Sequence, residues 1–451
     1  MPRGPNRRSS WKKNKRSGAN VGSISRRWAA RARRPLVILL AAALALCLLT
    51  CLPAYASKRD SNATEPAAEG KDWLTRWDNG LRLSCESEWL KLRVGGKIMA
   101  DAVGVCGSDA RDVSGSALSS GSEWRRLRPY VRGTVMGRLD FKIETEFASD
   151  EPKRTDLYLR LKDLPHVGAV TGGYFKEPFG LEQLTSSAHT TFLERALPDA
   201  FTPGRSLGFM VNRSFFDDRA TGALGFFRSV SDRGRLSASR GGEADAITGR
   251  GTWLVWDDRD KNELLHLGAA YSYRDCKGRV RYRQRPEVHF LGHVTHTGRF
   301  LANHTHLVGA EAAWVRGPLS IQGEYMASCV DRPDSANAFL QGVYVQASYF
   351  LTGEHRPYDR ATGTFKGPKP WKAFPTRGCG AWEVAARYSF LDLTGSGLAG
   401  TARRVQDITI GMNWYWNPNI RLVWNYIHSY VDGFGSSGSS DMFLLRVQLA
   451  F

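Results

Sequence analysis

Apolar and polar residues alternate with a period of two along most of this chain. Over residues 139–147, Leu139, Phe141, Ile143 and Phe147 share one side, and Asp140, Lys142, Glu144 and Glu146 share the other. Leu157, Leu159 and Leu161 oppose Tyr158, Arg160 and Lys162. Trp382, Val384, Ala386, Tyr388 and Phe390 oppose Glu383, Arg387 and Ser389, and Ile408, Ile410, Met412, Trp414 and Trp416 oppose Thr409, Gly411, Asn413 and Tyr415. This is the pattern of strands with one apolar face. Repeated as hairpins from about Trp89 onward, it predicts sixteen to eighteen strands. One stretch breaks it. Residues 175–208 carry three prolines and no sustained alternation, yet hold Phe175, Phe179, Leu181, Leu184, Phe192, Leu193, Leu197 and Phe201. So long a connection is usually a lid or binding loop, and its apolar residues must pack on something. They predict a loop folded inward, with a packed surface loop as the plainer alternative.

Each strand taken alone also suits a soluble sandwich. Beyond residue 56 no run of fifteen apolar residues occurs, so no spanning helix is expected there. The spanning structure left is a closed barrel, since only helices and barrels satisfy every backbone group in lipid. Aromatics gather at strand ends (Trp414, Trp416, Trp424, Tyr426, Tyr430), where the girdles of a membrane barrel fall. The last strand sets Phe443, Leu445, Val447, Leu449 and Phe451 on one side and Arg446 and Gln448 on the other. A final strand ending in Phe resembles the insertion signal of outer-membrane barrels.

The N-terminus changes the charge balance. Twelve Lys and Arg fall in the first 34 residues, followed by the apolar run of 35–52 and Ala54-Tyr55-Ala56. A basic segment, an apolar segment and an A-x-A site predict a secretory signal peptide over residues 1–56. An uncleaved anchor is the rival. Cleavage leaves 51 Lys and Arg against 44 Asp and Glu, about +7 rather than +19, which gives little support to nucleic-acid binding. Residues 57–84 read as a polar periplasmic lead-in and 85–451 as the barrel. N-terminal sequencing of the mature protein is expected to begin at Ser57; recovery of residues 1–56 would overturn this. Five cysteines follow the cleavage site without metal spacing; a Cys85–Cys106 bridge is conceivable.

FKEPFGLEQLTSS (175–187), with FLERALP and AFTPGRSLG, resembles the inward loop of the phosphate-selective porin O/P family. The stretches YFLTGEHRPYDRATGTFKGPKP (349–370), GAWEVAARYSFLDL (380–393), IGMNWYWNPNIRLVWNY (410–426) and RRLRPYVRG near 125 resemble the same family in the same order. The resemblance implies an all-β fold, a transmembrane antiparallel β-barrel of sixteen strands with a long inward-folded constriction loop, assembled as a homotrimer in outer-membrane lipid. It also implies passive diffusion of small anions, phosphate foremost, with no cofactor. In one respect the chain departs from the family: where a lysine commonly follows Thr-Ser-Ser, this chain has Ala188 and then His189.

Arginine carries the candidate chemistry. Its guanidinium is permanently charged and offers a planar donor fork for phosphate or carboxylate, and rows of such groups select anions in pores. Arg126, Arg128 and Arg132 fall on one side of a strand, and Lys176 and Arg205 flank the constriction at 175–205. Arg279, Arg281, Arg283 and Arg285 alternate with Val280, Tyr282 and Gln284, either as a lumenal ladder or as an outer loop meeting lipopolysaccharide phosphates. His289, His293, His296, His304 and His306 could suggest a metal site, though a solvated or headgroup-level cluster is the commoner meaning; no metal is expected. His189 and Glu194 could pair as a base, but no serine nucleophile motif, HExxH or Walker loop accompanies them, so no enzyme is expected. The competing class is a structural or adhesive barrel with a plugged lumen, which single-channel recording separates from a porin.

Overall fold

The computed structural model describes residues 73–77, 80–85, 89–107, 118–228, 244–333, 335–395, 398, 402–433 and 437–451. The expected leader, 1–56, lies outside them. Two short strands come first, β1 (Trp73–Trp77) and β2 (Leu81–Cys85). The barrel wall begins with β3 (Leu90–Cys106), β4 (Gly121–Val135), β5 (Leu139–Glu146), β6 (Lys153–Leu164) and β7 (Gly168–Lys176). It continues through β8 (Arg205–Phe215), β9 (Ala220–Arg228), β10 (Ala244–Asp258) and β11 (Glu263–Val280). A small ribbon, β12 (Arg283–Gln284) with β13 (Thr295–His296), precedes wall strands β14 (Phe300–Arg316), β15 (Leu319–Asp331) and β16 (Ala338–Phe350). A second ribbon, β17 (Tyr358–Asp359) with β18 (Thr364–Phe365), precedes β19 (Ala381–Asp392), β20 (Ala402–Tyr415), β21 (Ile420–Gly433) and β22 (Ser437–Ala450).

Each wall strand pairs antiparallel with the next, and β22 returns to β3 with Asp441 opposite Cys106 and Ala450 opposite Lys97. Among the described residues this closes a barrel of sixteen strands. β3 projects beyond the end of β22, and its free ladder groups pair with β2, Leu81 opposite Val94 through Ser84 opposite Lys91. The expected lead-in therefore contributes strand from Trp73 onward, because backbone donors and acceptors left along β3 need partners.

Burial inverts the usual rule. Phe209, Leu224, Leu159, Ile410, Phe443 and Val345 are exposed, whereas Arg446, Glu144, Asp407, Thr248 and His266 are buried. The faces that read as apolar in the sequence are the outer ones. Apolar outside and polar inside is the arrangement of a transmembrane barrel, not of a sandwich. Most connections at the end holding β3's start and β22's finish are short: 136–138, 165–167, 216–219, 259–262, 317–318 and 416–419. Gly317 takes φ +53° in the tightest of these, the left-handed conformation that two-residue hairpins demand. Short turns mark this as the periplasmic end. One periplasmic connection, 351–380, is long.

The C-terminal residue completes the seam. Phe451 N donates to Gly96 O and Gly96 N to Phe451 O, both at 2.9 Å, and Tyr130 Oη donates to the same Phe451 oxygen at 2.9 Å. Deleting Phe451 or changing it to Asp is expected to lower the heat-resistant, assembled fraction several-fold while leaving unit conductance unchanged. Normal assembly of either variant would contradict this. Cys106 is a free thiol, which corrects the conceivable bridge to Cys85. Cys85 lies in β2, beside the start of β3, and Cys106 ends that strand. At about 3.3 Å per residue the two stand roughly 50 Å apart.

Candidate functional site

The loop of residues 177–204 lies against inward-facing residues of the far wall. A short helix, α1 (Leu181–Leu184), opens it, and its first amides, Leu181 N and Glu182 N, donate to the Glu324 carboxylate at 2.8 and 2.7 Å. Ser389 Oγ accepts Leu197 N at 2.9 Å. Arg421 donates to the carbonyls of Thr190 and Thr191, Arg446 to that of Leu193, and Gln448 to that of Ala188. Phe179, Leu193, Leu197 and Phe201 join the apolar cluster inside β11, β14–β16 and β19–β22. A loop without ladder partners must place its carbonyls somewhere, and here buried arginines take them. Hydrogen bonds to charged groups contribute about 1.5–3 kcal/mol each.

Two further segments enter the lumen. After β11 the chain turns in at 281–299: Gln284 Nε2 donates to Leu197 O at 2.8 Å, and Glu287 accepts from Arg387 and from Thr409 Oγ1. From the periplasmic end, 351–380 sends its ribbon upward. Tyr358 Oη meets His266 Nδ1 at 2.6 Å, and Arg250 Nη2 donates to Gly363 O at 2.7 Å. Arg356 stacks on Phe365, 3.8 Å from the ring centroid.

What stays open lies between the inward loop and the wall β3–β8. It is a cavity of ≈ 460 Å³ whose lining holds, among the described residues, nine cations and one carboxylate, Asp156. The cations are Lys97, Arg125, Arg126, Arg128, Lys142, Arg160, Lys176, Arg195 and Arg205. A bulge makes room for three of them on one strand. Met99 faces Arg126 but Ala100 faces Trp124, so Arg125 is an extra residue in β4. The slip lets Arg125 and Arg126, adjacent in sequence, both line the cavity, and it keeps Arg128 on the same side.

Carboxylates behind the lining hold some of this charge. Arg125 grips Glu194 through Nε and Nη2, at 2.6 and 2.8 Å. Arg128 pairs with Glu146, Lys142 with Glu144 and Asp156, and Arg205 Nε with Asp156 Oδ1 at 2.6 Å. Lys176 and Arg195 converge instead on the carbonyls of residues 182–185, at the end of α1. Arg126 comes no nearer to Glu194 than 4.0 Å. Arg126 Nε and Arg160 Nε are buried with no acceptor among the described residues. A second cavity of ≈ 260 Å³ shares Arg160, Lys176, Leu184 and Met210 with the first and reaches Arg213, Gly222 and Thr362. The two adjoin at these shared residues, and the second lies toward the periplasmic end, where β8 finishes and β9 starts.

Of the sequence candidates, Arg126, Arg128, Lys176 and Arg205 meet in the first cavity. Arg132 is on the same face of β4 but below it, its guanidinium 5.7 Å from the Tyr130 ring centroid. Arg279 and Arg281 border a separate cavity of ≈ 270 Å³ beside Arg274, Phe201 and Tyr282. Arg283, opposite His296, and Arg285, whose Nε donates to Leu291 O at 2.8 Å, belong to the inturned segment and line neither. Burial, and after it the nearby Arg285, Arg283 and Arg281, push the His293 imidazole down to about 4. Among the described residues no metal-holding group of His, Cys, Asp and Glu occurs. His289 pairs with Glu123, and His304 and His306 pack on Tyr273 and Tyr271. Ala188 is buried and absent from the lining, which Ser186 and Ser187 reach. Glu194 serves the arginines rather than His189. Sequence reading passed over Lys97, Arg125, Lys142 and Arg160 as site residues, while Arg195 stood out as a cation of the inward loop. Lys142 and Arg160 already stood on the polar faces of strands read as amphipathic. Arg125 was hidden by the bulge.

The chain is 24% identical to Porin O of Pseudomonas aeruginosa over 424 residues, which cover 85% of this chain and 93% of that one. It is 28% identical over 291 residues to an uncharacterized protein of Caulobacter vibrioides, covering 63% of this chain and 58% of that one. Among solved structures, the anion-selective porin from Comamonas acidovorans superposes with a TM-score of 0.50 at 13% identity, covering 80% of this chain and all of that one. The in-vitro folded OmpT of Vibrio cholerae gives 0.50 at 9% identity, covering 81% and 99%. These likenesses show the barrel fold. Residues 93–451 match the family described as phosphate-selective porin O and P, from within the first wall strand to the last residue, and the chain belongs to that family, as an outer-membrane porin.

Proposed function

We propose that this porin passes small anions, phosphate foremost, through the passage between the inward loop and the wall β3–β8. The observation that carries the reading is the lining itself: nine cations against one carboxylate, with two buried guanidinium groups holding unused donors. Glu144, Glu146, Glu194 and Asp199 pair with lining cations from behind, so five carboxylates answer nine cations and the passage keeps a positive surplus. Cation–carboxylate pairs also shallow the site, so that an ion can leave it. Arg126, Arg128, Lys176 and Arg205 act as anion contacts, Arg279 and Arg281 as recruiting charges at the mouth, and Arg132, Arg283 and Arg285 as flanking charge. Charge alone does not separate phosphate from chloride; the hydroxyls of Ser186 and Ser187 add neutral donors, while position 188 adds none. We therefore propose a phosphate preference weaker than the family description implies. Family membership supports a homotrimer as the working unit, which unheated electrophoresis should show at three times the chain mass.

The deciding experiment is the reversal potential in a salt gradient, with phosphate added to chloride on one side. Anion preference is expected, and it should weaken between 0.1 M and 1 M salt as the Debye length falls from about 10 Å to about 3 Å. A cation-preferring pore would refute the assignment of the lining, and an absence of conductance steps would favour a plugged barrel.

A further inference from the structure

The periplasmic connection 351–380 does two different things. Its first half enters the lumen. Its second half turns back and lies on the outside of the barrel. Phe374 packs with its ring centroid 5.2 Å from those of both Trp414 and Trp416, which continue, on β20 and one residue past its end, the outward row of the exposed, lipid-facing Ile410 and Met412. Trp414 stacks in turn on Trp382, centroids 4.9 Å apart, and Trp382 on Trp424. Backbone bonds fix the seat: Phe374 N donates to Trp416 O at 2.8 Å, and Trp414 Nε1 donates to Cys379 O at 2.7 Å. Arg377 N to Ala373 O and Gly380 N to Lys372 O close the loop on itself.

From Lys366 to Gly380 this segment carries four cations and no carboxylate. Lys366 is taken by Asp359 at 3.0 Å. Lys369, Lys372 and Arg377 are exposed and make no side-chain hydrogen bond or ion pair among the described residues. The Lys372 stem lies against Gly378, where an added Cβ would come within 2.7 Å of it, so the tight loop brings position 372 next to the residue that follows Arg377. Trp371, 67% exposed, is held beside them. Its backbone N–H donates to Glu354 Oε1 at 3.0 Å, and its ring rests on Gly353, a φ +94° residue whose missing Cβ would come within 2.9 Å of the ring.

We propose that Lys369, Lys372 and Arg377, with Trp371, form a binding site for the phosphate headgroup of an anionic phospholipid in the periplasmic leaflet. Aromatic girdles sit where hydrocarbon gives way to headgroups. A loop seated on that girdle holds its cations at headgroup depth, where long stems can rest on apolar surface and the charged ends reach phosphate. Basic clusters beside membrane-spanning elements are how anionic lipids are recognised. An acidic soluble partner would need the same charges but not the aromatic seat, and that favours the lipid.

The test uses the full-length porin purified in detergent, stripped of lipid and offered phosphatidylglycerol or phosphatidylcholine in mixed micelles, with retained lipid read by native mass spectrometry. Phosphatidylglycerol is expected to be retained over phosphatidylcholine. The triple change Lys369→Gln, Lys372→Gln and Arg377→Gln should reduce that retention about tenfold or more, and Trp371→Ala should reduce it in part. Removing charge from a different periplasmic turn, between β10 and β11, by Arg259→Gln with Lys261→Gln, should leave retention as in the unaltered porin. Unchanged heat-modifiable migration and unit conductance establish that each variant is assembled. Equal retention by the triple variant, equal retention of the two lipids, or preferential capture of a polyglutamate peptide by the unaltered porin would each overturn the assignment.

Discussion

Replacing Arg126 and Arg160 together with alanine is expected to cut the anion-over-cation permeability ratio by about tenfold. An ion about 5 Å from a unit charge gains roughly 3 kcal/mol at an effective dielectric of about 20, and screening removes part of that; a loss of about 1.4 kcal/mol is already tenfold. These two are chosen because their charge is the least compensated. Arg126 stands 4.0 Å from a Glu194 that Arg125 and Arg446 already occupy, and each of the two has a buried Nε without an acceptor. Arg128→Ala differs in kind. It takes Arg128 from Glu146, which still accepts Leu127 N and Ala148 N, so it removes a cation and bares a carboxyl group. It should shift selectivity at least as far per residue, but partly by attracting cations. Unit conductance at 0.1 M salt, read together with the reversal potential, distinguishes the two, since only Arg128→Ala should raise absolute cation conductance. If Arg126→Ala with Arg160→Ala leaves the reversal potential unchanged, the ion path does not run through this cavity.

That contrast shows what the sequence could and could not say. Period-two alternation recovered the outer faces of β5, β6, β19, β20 and β22 because lipid contact is imposed at every second residue. It recovered Arg446 and Gln448 as inward for the same reason. Parity fails wherever a strand slips. Arg125 adds one residue to β4 opposite Met99 and Ala100, so counting by two sends it outward when it lines the pore. The row from Arg279 to Arg285 fails in the same way. Its alternation continues in the sequence, but β11 loses register between Asp275 and Gly278, puts Arg279 opposite the exposed Leu301, and ends at Val280. Four guanidinium groups at even spacing thus divide between a rim and an inturned ribbon. The inward loop was legible from its apolar residues without a strand to serve. Its fastening was not, since the arginines that hold it lie some 200 to 250 residues away in the chain. The stretch at 351–380 resembled the family by its residues, yet nothing local says that its first half enters a lumen and its second half lies on a girdle.

The most connected of those fastenings supplies the other large effect. Arg446 sits opposite Asp101 in the β22–β3 register that closes the barrel, and its Nε and Nη2 reach the two Asp101 oxygens, each at 2.6 Å. The same guanidinium donates to Glu194 Oε1 at 2.8 Å and to Leu193 O in the inward loop. One buried group thus joins the closing seam to the constriction. Arg446→Ala should cost about 3–5 kcal/mol, because it leaves the buried Asp101 charge without its partner. The expected results are a several-fold lower yield of heat-resistant barrel and, in the pores that form, larger and noisier current steps as the loop loosens. Arg446→Met with Asp101→Asn removes both charges of the seam and should restore most of the assembly, as apolar or neutral replacement of a buried pair often does. It cannot restore the bond to Leu193 O, so the noisy conductance should persist. Assembly and gating noise therefore separate across the double-mutant cycle. A double variant as poorly assembled as the single one would place the cost in packing rather than charge, and quiet, unaltered steps in both would show that Arg446 does not hold the constriction.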